Sequence, residues 1–272
     1  MTNHIDTPYM DYIPEDQWPS VSKMLDGFGE QTLPPSSALA GTSLSLTSTD
    51  GKTIDYNFIS PNQLTWATNS ETMPKEGCAT YKAIEARKNI FLIDFIIGEG
   101  KQTQNVTFVL NKDTGIATSG ISSFLSKDSK TRSTTEFMSL HTPEGKNTPV
   151  HQRSTGLVGK RIFYRYSDVE AYEHIYLSPG TFTWHCIRGG EQGLADTERC
   201  MTFDVAEDLY LFFWTERVMT VEAVLLIDLR EQRSIGRMVC WDSSLDELVI
   251  LPFNSRLSLM NETRYPKDYN KH

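Results

Sequence analysis

Tyr164, Tyr166, Tyr172, His174 and Tyr176 lie close together in the stretch LVGKRIFYRYSDVEAYEHIYLSPGTFTWHC. All five have even numbers, so on extended chain their side chains point to one side. Imidazole is the one side chain that titrates near neutrality unaided. A tyrosine gives an apolar wall and a hydroxyl that donates or accepts. Such a face could hold a small aromatic molecule and offer a proton or hydrogen bond to its carbonyl or phenol. His174 is the candidate acid or base, with Tyr172 and Tyr176 assisting. Tyr164, Tyr166, Phe182 and Trp184 are candidate substrate walls. In YLFFWTE, Phe212 and Trp214 extend the walls and share their side with Glu216. A carboxylate ending an apolar stripe is a candidate acid of raised pKa. The plainer alternatives are a core histidine satisfied by nearby hydroxyls and a solvated glutamate at a strand end. Glu173 and His185 fall on the opposite side and are expected outside the barrel or between the repeats.

Other chemistries find little support. There is no HExxH, and His174 and His185 face opposite ways, so no metal site is expected. IRGGEQG has glycines but no strand-to-helix context for a nucleotide. No GxSxG elbow occurs, and no cofactor is expected. Cys78, Cys186, Cys200 and Cys240 are scattered without a CxxC pair, which reads as reduced thiols. A net charge of −9 argues against a nucleic-acid partner. The first residues lack a secretory pattern, and no apolar run approaches the roughly 18 residues of a spanning helix. A cytoplasmic protein that does not enter a membrane is expected, with a homodimer left open.

The elements that must position these residues come from an internal repeat. LAGTSLSL aligns with LVGKRIFY, and DYNFISPNQLTW with EHIYLSPGTFTW. The spacing is constant: 159 − 41, 178 − 60 and 184 − 66 all give 118. Short runs rich in β-branched and aromatic residues alternate with turns such as Asp50-Gly51 and Pro179-Gly180. Strands are expected near 42–48, 53–60, 63–69, 78–86, 89–97, 103–110 and 116–123. In the second copy they are expected near 160–167, 170–177, 181–187, 199–205, 208–216, 220–229, 233–242, 246–251 and 256–260. The fold class is all-β: two consecutive antiparallel barrels, since closure removes sheet edges. The expected boundaries are an N-terminal extension at 1–38, a first barrel at 39–125, a polar linker at 126–153, a second barrel at 154–260 and a tail at 261–272.

ALAG, LTW and NIFLIDF in the first copy resemble the N-terminal domain of the molybdenum-cofactor biosynthesis protein F (MoaF) family. LVGK…YRYS…YEHIYL and VEAVLLIDLREQRSIGRM resemble its C-terminal domain. The resemblance covers most of residues 18–250 and implies lipocalin-like (calycin) barrels. The family name implies a link to molybdenum-cofactor genes, but the residues offer no pterin or molybdate site. Arg161 and Arg165 alternate with Tyr164 and Tyr166 and should point away. A looser likeness, of composition only, is to lipocalin-like barrels that decarboxylate phenolic acids or cyclise polyenes; fold alone does not fix function.

The leading expectation is a cofactor-independent cyclase, isomerase or lyase of secondary metabolism, acting on an apolar or aromatic intermediate in the second barrel. The competing one is a non-catalytic carrier of a small hydrophobic ligand. A third has both barrels filled by side chains and function at a protein interface. A void of several hundred Å³ in the second barrel separates the first two from the third.

Overall fold

Ile54, Tyr56 and Phe58 are buried while Asp55 and Asn57 face solvent, the alternation of a strand with one wet face. The computed structural model, which describes residues 13–24, 27–127 and 130–266, carries this pattern round two closed antiparallel barrels. The first is formed by β1 (Thr42–Ser48), β2 (Thr53–Ser60), β3 (Gln63–Thr68), β4 (Glu76–Arg87), β5 (Ile90–Ile97), β6 (Gln104–Asn111), β7 (Ile116–Lys127) and β8 (Lys130–His141). Each strand bonds the next, and β8 returns to β1.

The second barrel is formed by β9 (Lys160–Arg165), β10 (Ala171–Ser178), β11 (Thr181–Arg188), β12 (Ala195–Ala206), β13 (Leu209–Thr215), β14 (Thr220–Asp228) and β15 (Arg233–Asp242), then β16 (Glu247–Pro252) and β17 (Ser255–Glu262). Its last wall strand is split. β16 pairs with Arg237–Asp242 of β15, whereas β17 touches Arg233 and Ser234 and closes the ring onto β9.

The repeated L-x-G motif has a structural reason. Leu39 and Leu157 are buried, and each is followed by a glycine of positive φ, Gly41 at 74° and Gly159 at 86°. That conformation strains residues with a Cβ. It lets the Gly41 N–H donate to the Phe58 carbonyl and the Gly159 N–H to the Tyr176 carbonyl, 2.7 and 2.8 Å away.

The expected linker at 126–153 is a correction. It contains β8, which pairs along β7 from Ile116↔His141 to Lys127↔Lys130. KTRSTTEFMSLH lacks clean hydrophobic alternation, but its threonines are β-branched and suit an extended chain. Thr263 of the expected tail is tied by its N–H to the Gly159 carbonyl. Residues 1–12 of the extension and 267–272 of the tail lie outside the described residues.

The barrels meet side by side through outer faces. Ile84, Ile90, Leu92 and Val109 pack with Phe203, Leu211, Phe213 and Leu226 in one apolar cluster. Two buried arginines cross this contact. Arg87 bonds both oxygens of Asp228, and Arg237 reaches Asp94 at 3.0 Å and Glu222 at 3.8 Å. Among the described residues, no helix is long and apolar enough to cross a membrane.

Candidate functional site

The inward residues of β9 and β10 meet as the alternation requires. The Tyr164 and Tyr176 hydroxyls are 2.5 Å apart, and His174 Nδ1 lies 3.3 Å from the Tyr176 hydroxyl. The Tyr164 and His174 rings are 4.2 Å apart between centroids, with Phe182 and Trp214 edge-on to the imidazole. All five of these groups are buried. Burial pushes the His174 pKa down to about 3, so the ring is neutral at physiological pH. Burial likewise raises the Tyr164, Tyr166 and Tyr176 hydroxyls. At the matching strand positions the first barrel has Leu46, Ile54, Tyr56 and Phe58, packed against Phe95 and Phe108.

Acidity comes from elsewhere. The loop after β11, Gly189-Gly190-Glu191-Gln192-Gly193, folds back so that the Gly193 N–H reaches the Cys186 carbonyl and the Leu194 N–H the Glu191 carbonyl. Gly189 and Gly193 have positive φ, and a Cβ on Gly189 would strike the Glu170 carboxylate. The turn tucks Glu191 inward, where the Tyr172 hydroxyl donates to its Oε2 at 2.9 Å. Glu216, at the end of β13, accepts from Trp214 Nε1 at 3.3 Å. As a residue Glu216 is partly exposed, but its Oε2 is shut off from solvent.

Desolvation raises both carboxyls, Glu191 to about 7 with Glu170 adding to the rise, and Glu216 well above the usual carboxylate range with Glu191 adding to it. Glu191 Oε1, Glu216 Oε2 and Trp184 Nε1 have no hydrogen-bond partner among the described residues. The first barrel differs. Met73, in the corresponding loop, is in its core, Ile97 ends the corresponding strand, and Trp66 Nε1 donates to the Pro74 carbonyl at 2.9 Å. Trp66→Phe is therefore expected to cost about 1 kcal/mol more stability than Trp184→Phe, which deletes an unpartnered donor. Chemical denaturation of the two variants measures the difference.

These groups surround a small cavity. Tyr172, His174, Trp184, Glu191, Trp214 and Glu216 line it, with Met238, Leu251 and Phe253 completing the barrel side. The remaining lining residue, Phe28, comes from the N-terminal segment, which crosses the mouth of this barrel. Phe28 packs against Tyr166, Tyr172 and Phe253, and Trp18 stands edge-on to Trp184. Few polar bonds hold the segment: the Ser22 N–H to Asp242, the Ser22 hydroxyl to Glu247, and Thr32 and the Phe28 carbonyl to Asn254. With Phe28 in place the enclosed space is ≈ 20 Å³, room for about one water. That is far below the several hundred Å³ expected of an open ligand barrel, so by the volume criterion this conformation is the filled barrel of the third expectation, and a ligand needs Phe28 displaced. Glu216 also borders a polar cleft of ≈ 760 Å³ on its outer side.

Tyr172, His174, Trp184, Trp214 and Glu216 of the sequence candidates thus come together at the cavity. Tyr164, Tyr166, Tyr176, Phe182 and Phe212 lie in the same core without lining it, so Tyr176 supports His174 from behind. Glu191 and Phe28 were not foreseen. The glycines of IRGGEQG, discounted for nucleotides, are the turn that brings Glu191 in. Glu173 lies on the outer side, bonded by Arg161 and His185. Among the described residues, no three His, Cys, Asp or Glu side chains are arranged to hold a metal ion.

Comparison with known proteins follows the same two-part division. Residues 16–126 match the MoaF N-terminal domain and residues 151–263 the MoaF C-terminal domain. Protein MoaF of Klebsiella aerogenes is 40% identical over 118 residues, 43% of this chain and 45% of that protein, so the match spans about half the length of that relative. A solved structure from Burkholderia vietnamiensis, provisionally assigned as a beta-lactamase, is 19% identical and covers 40% of this chain and 99% of that one. Its TM-score of 0.34 carries no argument. With its two halves matched in order by the two domains of one family, the chain belongs to the MoaF family.

Proposed function

We propose that the second barrel is the site of a cofactor-independent acid–base enzyme acting on a small, mostly apolar or aromatic molecule. The observation that carries this reading is the pair Glu191 and Glu216. Two carboxyls of raised pKa, each with an unpartnered oxygen, share an aromatic cavity. Environments that hold one carboxyl protonated beside another are how proteins obtain acid and base together near neutrality. The protonated member gives its proton to a substrate carbonyl oxygen while the ionised member removes a proton from the neighbouring carbon. In an unsaturated carbonyl compound, the second carboxyl then returns its proton to a carbon further along the dienol. The enol O–H goes back to the first carboxylate, so the double bond shifts and both carboxyls are restored. The aromatic walls fix the substrate's conformation, and neutral His174 orients it by a hydrogen bond.

The substrate enters by displacing Phe28, the one lining side chain the barrel does not carry. Phe28→Ala is expected to lower stability by roughly 3 kcal/mol and to tighten ligand binding, read by thermal denaturation and calorimetric titration of the same preparation. Unchanged binding in a folded variant counts against this entry route.

The function itself is tested with a metabolite extract from source-organism cells lacking the gene, incubated with wild type, His174→Ala and Glu216→Gln and read by mass spectrometry. A metabolite consumed and a product formed by wild type, with Glu216→Gln roughly 100-fold slower or worse, is the expected result. A metabolite depleted but recovered unchanged from denatured protein identifies a carrier and removes the catalytic reading.

A further inference from the structure

The chain is acidic, with 35 Asp and Glu against 26 Lys and Arg, and most of the arginines that shape its fold are matched. Arg87 pairs with Asp228, Arg161 with Glu173, Arg165 with Asp168 and Arg237 with Asp94. The cleft outside Glu216 gathers three others. Arg132 of β8, Arg199 of β12 and Arg217 of the β13–β14 turn all line its ≈ 760 Å³. Arg132 and Arg199 have no hydrogen-bond or ion-pair partner among the described residues. The Arg217 guanidinium lies 4.0 Å from Glu15 of the N-terminal segment and also acts on Glu198.

The carboxyls on the cleft wall offset this charge weakly. Glu198 is held up to about 7 by burial, with one oxygen taken by the Arg217 N–H, and burial also raises Glu216 well above the usual carboxylate range. The rest of the rim is largely hydroxyls, of which Ser133 and Thr220 already donate to the Val221 and Thr131 carbonyls, so the arginines carry the anion recognition. Guanidinium groups recognise oxyanions by charge-assisted hydrogen bonds. Glu216 borders both this cleft and the aromatic cavity, so one side chain faces two regions of contrasting chemistry.

We infer that this cleft binds the anionic end of the ligand, whose substrate class is a small amphipathic acid: an aromatic or apolar body for the cavity and a carboxylate or similar oxyanion for Arg132, Arg199 and Arg217. The inference rests on the cavity being the ligand site. The glutamate that already approaches Arg217 marks where the anion sits, and Phe28 marks where the apolar body sits.

The test is calorimetric titration of the full chain with matched acids and amides: phenylacetate, indole-3-acetate and naphthalene-2-acetate, each against its uncharged amide. Wild type is expected to bind at least one acid about tenfold more tightly than its amide, the value of one charge-assisted bond, with the preference shrinking in high salt. Arg199→Gln/Arg217→Gln should erase that preference and leave amide binding unchanged. Acid and amide binding equally, through Trp184 and Glu216 and regardless of the arginines, overturns the anionic class but keeps the cavity. Acid binding that follows the arginines but ignores Trp184→Phe and Glu216→Gln keeps the anion cleft and overturns the cavity reading. No binding by any pair overturns both.

Discussion

A Glu191→Gln/Glu216→Gln variant is expected to be more stable than wild type at pH 8 and to match it near pH 5. Both carboxyls bind their protons more tightly in the folded chain than their ordinary value of 4.5. Stability from a raised carboxyl pKa is present below the unfolded value and is lost as pH rises through the folded one. For Glu191 that window runs from 4.5 to about 7, and for Glu216 it likewise opens upward from 4.5. A tenfold change in proton affinity is worth about 1.4 kcal/mol, so Glu191 alone gives a loss of roughly 3 kcal/mol. Repulsion within the pair adds to it. Glutamine copies the shape of the protonated acid without the option to ionise. The melting-temperature difference between variant and wild type should therefore open by roughly 5–10 °C across the window. Other raised acids, Glu198, Glu222 and Asp94, remain in both proteins and cancel in the comparison. A difference that stays flat with pH would show that the pair ionises normally.

The second large effect lies between the barrels. Arg237→Ala is expected to cost roughly 3–5 kcal/mol, because it strands Glu222 and Asp94 in the interface and leaves Thr107 with Asn105 alone as donor. Desolvation already raises both carboxyls, and Arg237 opposes that rise. Without the guanidinium they take up protons more readily, so the loss should be smaller at pH 5 than at pH 8. Differential scanning calorimetry should also show the single transition broadening or splitting as the barrels uncouple. Replacing Arg237 and Glu222 together by methionine should recover part of the loss, since it removes the Glu222 charge and leaves only Asp94 without its guanidinium. An Arg237→Ala variant within about 0.5 kcal/mol of wild type would mean that the apolar cluster around Phe213 holds the barrels unaided.

The two barrels were legible because the repeat carries its own geometry. Leu-x-Gly closes one end of each barrel, and the alternation in DYNFIS and EHIYLS settles which side is wet. β8 was missed because Ser and Thr fill it, so burial left no apolar stripe to read. Tyr172, His174, Trp184, Trp214 and Glu216 were found because they alternate on strands of known phase. Glu191 has no phase, since a loop directs it, and its inward turn depends on contacts such as that of Gly189 with Glu170. Phe28 belongs to a segment without periodicity whose place is set by tertiary packing alone. Chemistry read from residue type also misled in one respect. His174 looked like the titrating group, yet complete burial without a charged partner depresses its pKa, and the titrating role passes to the carboxyls.

The central claim is that the second barrel keeps a carboxyl protonated at neutral pH beside its aromatic walls. The most direct measurement is a carbon-13 NMR titration of the full chain with glutamate carboxyls labelled, assigned by Glu191→Gln and Glu216→Gln. Two resonances, absent in the respective variants, are expected to titrate well above the surface glutamates, that of Glu191 near pH 7. Two resonances that titrate with the surface glutamates below pH 5 would contradict it.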